Sequence, residues 1–142
     1  MQKTIELLSP NKKHKAVLTY IGEAKADPGH YSLAIDGLPH SFADRIFGRV
    51  CLWSPDSRFL VVQEWMETDE SGVPKFCQLL IIDMSAKREC IIANVEGAKG
   101  NILPESFIGD SLMYTVIYGG QFGMTKSFES RFQYLDGWKI IK

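Results

Sequence analysis

The residue types that most often perform catalysis occur in this sequence without neighbours that would activate them. The three histidines are His14, His30 and His40. His14 lies in a run of lysines that is typical of a solvated turn, and no serine or cysteine stands in a nucleophile-elbow context for the other two. A catalytic triad assembled from distant loops stays open as an alternative. We therefore expect a protein that is not an enzyme.

Metal and phosphate sites also lack their usual spacing. The sequence has no HxH, HExxH or paired Cys/His cluster, and Cys51, Cys77 and Cys90 form no CxxC pair. The glycine-rich segment Gly119–Gly123 is not followed directly by Lys-Ser/Thr, and no helical period begins after it, which favours a hairpin or blade loop over a phosphate loop. We expect no metal ion, no cofactor and three reduced, buried thiols.

A cluster of carboxylates around an aromatic residue is the one positive chemical signal. The segment 64–70 contains four acidic residues and a tryptophan: Glu64, Trp65, Glu67, Asp69 and Glu70. Such a patch suits docking on a basic protein surface, because charge raises the association rate and a buried aromatic contributes affinity. We predict that these five residues bind a partner protein. A solvated loop is the alternative, and strand alternation leaves Trp65 open as a core residue instead.

Composition and charge set the class of protein. The chain has 142 residues, 45% of them hydrophobic and 23% charged, as in an ordinary single globular domain. A net charge of −1 creates no global attraction to nucleic acid or to an anionic membrane. The lysines near the N-terminus and Lys87-Arg88 lie in predicted turns without interleaved aromatics, so direct nucleic-acid binding is not expected. No apolar secretory core or membrane span is visible, and we expect a cytoplasmic protein.

The elements that must position these residues are β-strands. The stretch Arg49–Trp65 contains two apolar runs separated by Ser54-Pro55-Asp56, a turn sequence, and so predicts a β-hairpin. The same order of strands and turns recurs in units spanning residues 4–42, 49–95 and 106–142. Four strands in each unit, repeating every 40–50 residues or so, is the pattern of propeller blades.

The phrase LWSPDSRFLVV resembles the inner hairpin of a WD-repeat-like β-propeller blade, and LLIID resembles its third strand. The Gly-His and Trp-Asp signatures of true WD repeats are absent. The resemblance implies an all-β fold with three blade-like antiparallel sheets. Because about four to eight blades close a propeller, we expect an open half-propeller or a twisted sandwich whose edges or inner surface are left uncovered.

An uncovered β surface predicts a protein partner. The chain resembles, in general type, the immunity proteins of bacterial contact-dependent growth inhibition systems. The likeness consists of its small size, its acidic segment, its open β architecture and the lack of a recognisable set of catalytic residues, and no shared motif supports it. That resemblance implies an inhibitor that occludes a basic toxin domain, with a nuclease as the expected target. Two alternatives stay open: an obligate homo-oligomer that completes the sheets, and a small ligand-binding protein or enzyme that uses the inner face of the blades.

Overall fold

A computed structural model describes residues 4–22, 30–38, 42–68, 74–96, 100–118 and 123–141. These residues contain one short 3-10 helix, Phe132–Tyr134. Their strands are β1 (Thr4–Leu8), β2 (Lys15–Gly22), β3 (His30–Ile35), β4 (Ile46–Trp53), β5 (Phe59–Thr68), β6 (Pro74–Asp83), β7 (Arg88–Glu96), β8 (Asn101–Ile108), β9 (Ser111–Tyr118), β10 (Met124–Arg131) and β11 (Lys139–Ile140).

The strands form two antiparallel sheets. One has eight strands in the order β1-β2-β3-β4-β5-β6-β7-β11, and the other has three in the order β10-β9-β8. The prediction of an all-β fold with antiparallel sheets is confirmed, and the larger sheet is open, with β1 and β11 as its outer strands. No closed propeller is present among the described residues.

The three predicted units do not each form a sheet of their own. Pairing of Tyr31 with Phe47 joins β3 to β4 and so merges the first two units into one sheet. The third unit is divided, because β11 leaves β8–β10 and pairs with β7 through Lys139 and Glu89. Most of the predicted strand Leu38–Phe42 lies outside the described residues, and its first residue, Leu38, forms a bridge with Ile35.

Each face of the eight-stranded sheet buries its own apolar core. On one face, residues of β2 to β6 form a core cluster that includes Leu18, Phe47 and Leu80. On the other face β5, β6 and β7 pack against the three-stranded sheet, where Val61 meets the cluster that contains Leu112. The central strands β5 and β6 are therefore buried on both faces, which explains why their sequences are nearly continuous apolar runs.

The predicted hairpin turn between β4 and β5 is held by its own side chains. The Ser54 hydroxyl donates to Asp56 Oδ1 at 2.6 Å and accepts a hydrogen bond from the Phe59 amide at 2.9 Å. Ser57 takes a positive φ of 65°, and its hydroxyl accepts a hydrogen bond from the Asn11 amide of the first turn. The turn thus fixes the start of β5 and docks the N-terminal hairpin against it.

Candidate functional site

The predicted acidic segment begins inside the protein. Glu64 and Trp65 are neighbours in β5 and point to opposite faces of the sheet, where only 2% of Glu64 and 7% of Trp65 is exposed. The core alternative for Trp65 is therefore the one that the structure shows. Glu67 follows in β5, and Asp69 and Glu70 lie outside the described residues. Partner binding by this segment stays a prediction, and it now concerns Glu67, Asp69 and Glu70.

Glu64 is occupied by a buried ion-pair network. Arg45 donates to both Glu64 carboxylate oxygens, at 2.7 and 2.8 Å, and to Glu89 at 2.9 Å. Gln78 Nε2 adds a hydrogen bond to Glu64 at 2.8 Å. Burial acts to lower the pKa of Arg45, but the hydrogen bonds and charges of Glu64 and Glu89 outweigh it and raise that pKa. The network lines a cavity of about 390 Å³. Because every charged group in it is paired, the network serves the stability of the fold.

A second charged cluster lies at the opposite end of β5. Asp83, the last residue of β6, is fully buried and binds two arginines: Arg58 Nε and Nη2 donate to it at 3.1 and 3.0 Å, and Arg88 Nε donates at 3.1 Å. The backbone amides of Ser85 and Ala86 donate to the same carboxylate at 3.1 and 3.2 Å. One buried carboxylate therefore orients two guanidinium groups whose outer parts reach solvent.

Aromatic rings hold these guanidinium groups from the other side. Arg58 lies over Phe59 at 4.9 Å from the ring centroid, and Arg88 lies over Trp138 at 4.2 Å. Phe132 contacts Phe59 with ring centroids 4.7 Å apart. These five residues line an open cavity of about 630 Å³, with Asp56 and Asp110 among the other lining residues. We call Arg58, Arg88, Phe59, Phe132 and Trp138 the arginine cleft.

Replacing Asp83 with asparagine is expected to lower the free energy of unfolding by roughly 2–3 kcal/mol at neutral pH. Hydrogen bonds to a charged group are lost, while the exposed parts of both arginines remain solvated, which limits the cost. Burial acts to raise the pKa of Asp83, but hydrogen bonds from Arg58, Ala86 and Arg88 outweigh it and lower that pKa. Its stabilisation is thus present above the unfolded value of about 3.9 and is lost as pH falls through the lower folded value.

Urea unfolding of the native protein and of Asp83→Asn, from neutral pH down to about pH 3, measures this effect. The difference between the two should shrink towards acidic pH. Asp36→Asn, at an exposed turn position, serves as the control and should change stability by less than about 0.5 kcal/mol. A difference that stays constant with pH would show that the Asp83 charge does not stabilise the fold.

Strand β10 carries an apolar face that no other described strand covers. In the register of β9 and β10, Met124 lies opposite Tyr118 and Phe128 lies opposite Tyr114. Tyr114 belongs to the core between the sheets, and its ring stacks on Phe128 at 5.5 Å. Directly opposed residues share a face, so this face continues from the core into solvent. Tyr118 is 37%, Met124 51% and Phe128 37% exposed.

We call this surface the overhang face; it consists of Tyr118, Met124, Lys126 and Phe128. It starts at the end of the sandwich where β5 ends and β6 begins, because Cys77 of β6 contacts the Gly100 carbonyl at 3.9 Å and Asn101 pairs with Ile117 of β9. The predicted acidic segment leaves β5 at this same end.

Several other reactive side chains of the described residues occupy structural positions, and His40 lies outside the described residues. All three cysteines are free thiols, and burial raises the pKa of Cys51 and of Cys77 to about 12, so neither is a thiolate at neutral pH. His14 stacks on Trp53 at 6.1 Å. Within the described residues, no group of three or more His, Cys, Asp or Glu side chains could hold a metal ion.

No protein-family model, curated protein or solved structure matches this chain. In the part of the chain that the structure describes, no helix is long and apolar enough to cross a membrane.

Sequence reasoning missed both the arginine cleft and the overhang face. The cleft unites Arg58, Arg88 and Trp138, which are distant in the chain and share no motif. The one local signal was the repeated arrangement of an aspartate with nearby arginines around each turn of the second unit, as in Asp56-Ser-Arg58 and Asp83 to Arg88. For the overhang face the signal was the alternation of Met124, Lys126 and Phe128, which shows a face but not whether it is covered.

Proposed function

We propose that this chain is a non-enzymatic protein-binding module whose partner docks on the overhang face. The observation that carries the proposal is the exposure of Met124 and Phe128 on a face that is buried one strand further into the sheet. Exposed apolar side chains that continue a core into solvent are typical of interaction sites. A partner that covers them would complete the sandwich over β10.

The partner is expected to be basic where it meets the end of β5. Glu67, Asp69 and Glu70 follow Trp65 closely in sequence, whereas Glu64 is neutralised by Arg45 and adds no surface charge. Carboxylates combined with an apolar surface would give both attraction and affinity to a cationic partner.

The overhang face is a less suitable place for a second copy of the chain. Lys126 points to the same side of β10 as Met124 and Phe128, and a charged lysine on an edge strand opposes edge-to-edge pairing of identical strands. The outer strands of the larger sheet are short: β1 has five residues and β11 has two.

Within this class, we favour an inhibitor of a basic toxin domain, with a nuclease as the expected target. Its support is the acidic segment, whose carboxylates would mimic the phosphates that a cationic nuclease groove binds, and the resemblance of type to immunity proteins. Such an inhibitor would act by occluding its target and needs no catalytic group of its own.

The proposal is tested with the full chain as bait in an extract of its native host. The unaltered chain should recover a basic protein in equal stoichiometry, and the double variant Met124→Ser/Phe128→Ser should bind that protein at least about tenfold more weakly. Ile108→Ser, which alters a side chain 62% exposed at the other end of the three-stranded sheet, is the matched control. Melting curves establish that all variants fold.

Equal recovery by the double variant would overturn docking on the overhang face. A self-association detected by light scattering and abolished by the same double variant would replace the proposal with a homo-oligomer.

Reversing Glu67, Asp69 and Glu70 to lysine should slow association with the recovered basic partner by about tenfold or more at low salt and flatten its salt dependence. The electrostatic steering supplied by three carboxylates is replaced by repulsion, while the overhang face is unchanged. Association rates measured at several ionic strengths give both quantities.

The matched control reverses three exposed aspartates elsewhere in the chain, Asp36, Asp110 and Asp136. It should leave the association rate nearly unchanged. If both triple variants bind at the native rate, the acidic segment does not take part in docking.

A further inference from the structure

We propose that the arginine cleft binds a small aromatic monocarboxylate, a flat apolar ring that carries one carboxylate group. The cleft lies away from the overhang face, at the end of the sandwich where β8 meets β9 at Gly109 and Asp110. The proposal is therefore independent of the proposed protein partner. The volume of the cleft, about 630 Å³, falls within the range of small-molecule sites.

The arginines have donors left over after their structural role is fulfilled. Asp83 receives hydrogen bonds from Arg58 Nε and Nη2 and from Arg88 Nε. Among the described residues, Arg58 Nη1 and both Nη atoms of Arg88 have no hydrogen-bond partner. Two guanidinium groups share one buried carboxylate, so this trio has a net charge of +1. A carboxylate ligand would accept hydrogen bonds from the free Nη groups, which are the strong, charge-assisted kind.

The donors are already oriented before any ligand arrives. Each arginine is fixed on one side by Asp83 and on the other by an aromatic ring, Phe59 for Arg58 and Trp138 for Arg88. Little side-chain entropy is then lost on binding, which favours affinity for a small ligand. Lysine in either position would lack both the planar stacking and the fork of donors.

The aromatic part of the cleft calls for a flat apolar body. Phe132 and Trp138 are partly exposed, and both lie against Phe59, with ring centroids at 4.7 and 6.4 Å. Together they offer ring faces and edges against which a flat ring can stack in an offset or tilted arrangement.

The acidic lining residues restrict the charge of the ligand. Asp56 accepts hydrogen bonds from Ser54 and from the Arg58 amide but keeps its negative charge beside Arg58, and Asp110 is an exposed carboxylate at the cleft. These two carboxylates offset the positive charge of the trio, so one carboxylate on the ligand is held by its directed hydrogen bonds to the free Nη groups, and a second negative charge would be repelled. A monoanion is therefore favoured over a phosphate monoester.

The test compares four probes by titration calorimetry: 1-naphthoate, the neutral 1-naphthamide, acetate, and 1-naphthyl phosphate. We expect 1-naphthoate to bind with a Kd below about 1 mM and at least about tenfold more tightly than the amide or acetate. Equal binding of the amide, or no binding of 1-naphthoate, would overturn the proposal. Tighter binding of the phosphate would overturn the assignment of a monoanion.

The location is established in the unaltered protein by the indole N–H signals of its three tryptophans in ¹H–¹⁵N NMR spectra. The Trp138 signal should shift on addition of 1-naphthoate, while those of Trp53, whose indole donates to the Leu7 carbonyl, and of buried Trp65 should not. A shift confined to Trp53 or Trp65, or no shift at all, would contradict binding in the cleft.

A variant then separates ligand binding from structural support. Arg88→Lys should weaken 1-naphthoate binding by about 10- to 100-fold, because the donor fork and its stacking on Trp138 are lost. Arg49→Lys, at an exposed position on β4, is the matched control and should bind as the native protein does. Unchanged affinity in a folded Arg88→Lys protein would show that the arginine serves only Asp83.

Discussion

Replacing Trp65 with alanine is expected to lower the free energy of unfolding by about 3–5 kcal/mol, the usual cost of removing a large buried aromatic side chain. The ring is 7% exposed and belongs to the core between the two sheets. It also packs close to Gly48, where a Cβ atom would lie 3.2 Å from the indole nitrogen. The cavity left by the ring would lie in the core between the two sheets. Urea unfolding monitored by circular dichroism measures the loss.

Tyr134→Ala provides the contrast, because that ring is 72% exposed, and its removal should change stability by less than about 0.5 kcal/mol. The two roles considered for Trp65 give opposite outcomes. A surface anchor would leave the melting curve unchanged and raise the rate at which a partner dissociates, and that result would contradict the buried position.

The hairpins were predictable because their causes are local. The turn from Ser54 to Arg58 has its side-chain partners within five residues, and β5 and β6 follow as apolar runs of the expected length. Strand alternation also placed Trp65 on the face of Phe59 and Val61, and all three lie in one core. Structure that depends only on the turn residues and side-chain alternation of a short stretch could therefore be predicted.

The grouping of strands into sheets was not predictable, because it depends on weak, distant pairings. β11 has two residues, Lys139 and Ile140, both exposed, and nothing in them indicates β7 as the partner. β8 begins at Asn101, in a stretch with little apolar pattern, and it is fixed there by a side chain of β5: Gln63 donates hydrogen bonds to Asn101 Oδ1 and, at 3.0 Å, to the Ile102 carbonyl. The sequence around Gln63 does not indicate that its side chain binds Asn101 and Ile102.

The candidate sites were predicted only in part for the same reason. Carboxylates in a row indicate a solvated patch, yet Glu64 is buried, because Arg45 reaches it from the turn that precedes β4. The arginine cleft depends on Trp138 returning to Arg88 after the three-stranded sheet has been completed. In both cases the decisive contact joins an arginine to a residue distant in the chain, Arg45 to Glu64 and Arg88 to Trp138. No motif in the sequence indicates either pairing.

Replacing Arg45 with methionine is expected to cost about 3–5 kcal/mol, the range for breaking a buried ion pair by removing one member. Glu64 would keep only Gln78 as a partner and would remain a charge with a side chain 3% exposed. Methionine keeps an unbranched apolar side chain but removes the guanidinium group that lies over Phe42 and Phe47, so the loss of these cation–π contacts adds to the loss of the ion pair. Equilibrium unfolding in urea gives the loss.

Replacing Glu64 instead of Arg45 should lower the free energy of unfolding by less, because the two partners are not equally buried. In Glu64→Leu, Arg45 keeps Glu89 and a side chain that is 26% exposed, so its charge stays partly solvated. The double variant Arg45→Met/Glu64→Leu should recover at least about half of the loss seen in Arg45→Met, since no buried charge then remains unpaired. Strictly additive costs in this double-mutant cycle would show that Glu64 does not depend on Arg45. The predicted asymmetry follows directly from the depth of the two groups: the deeper charge is the one that cannot lose its partner.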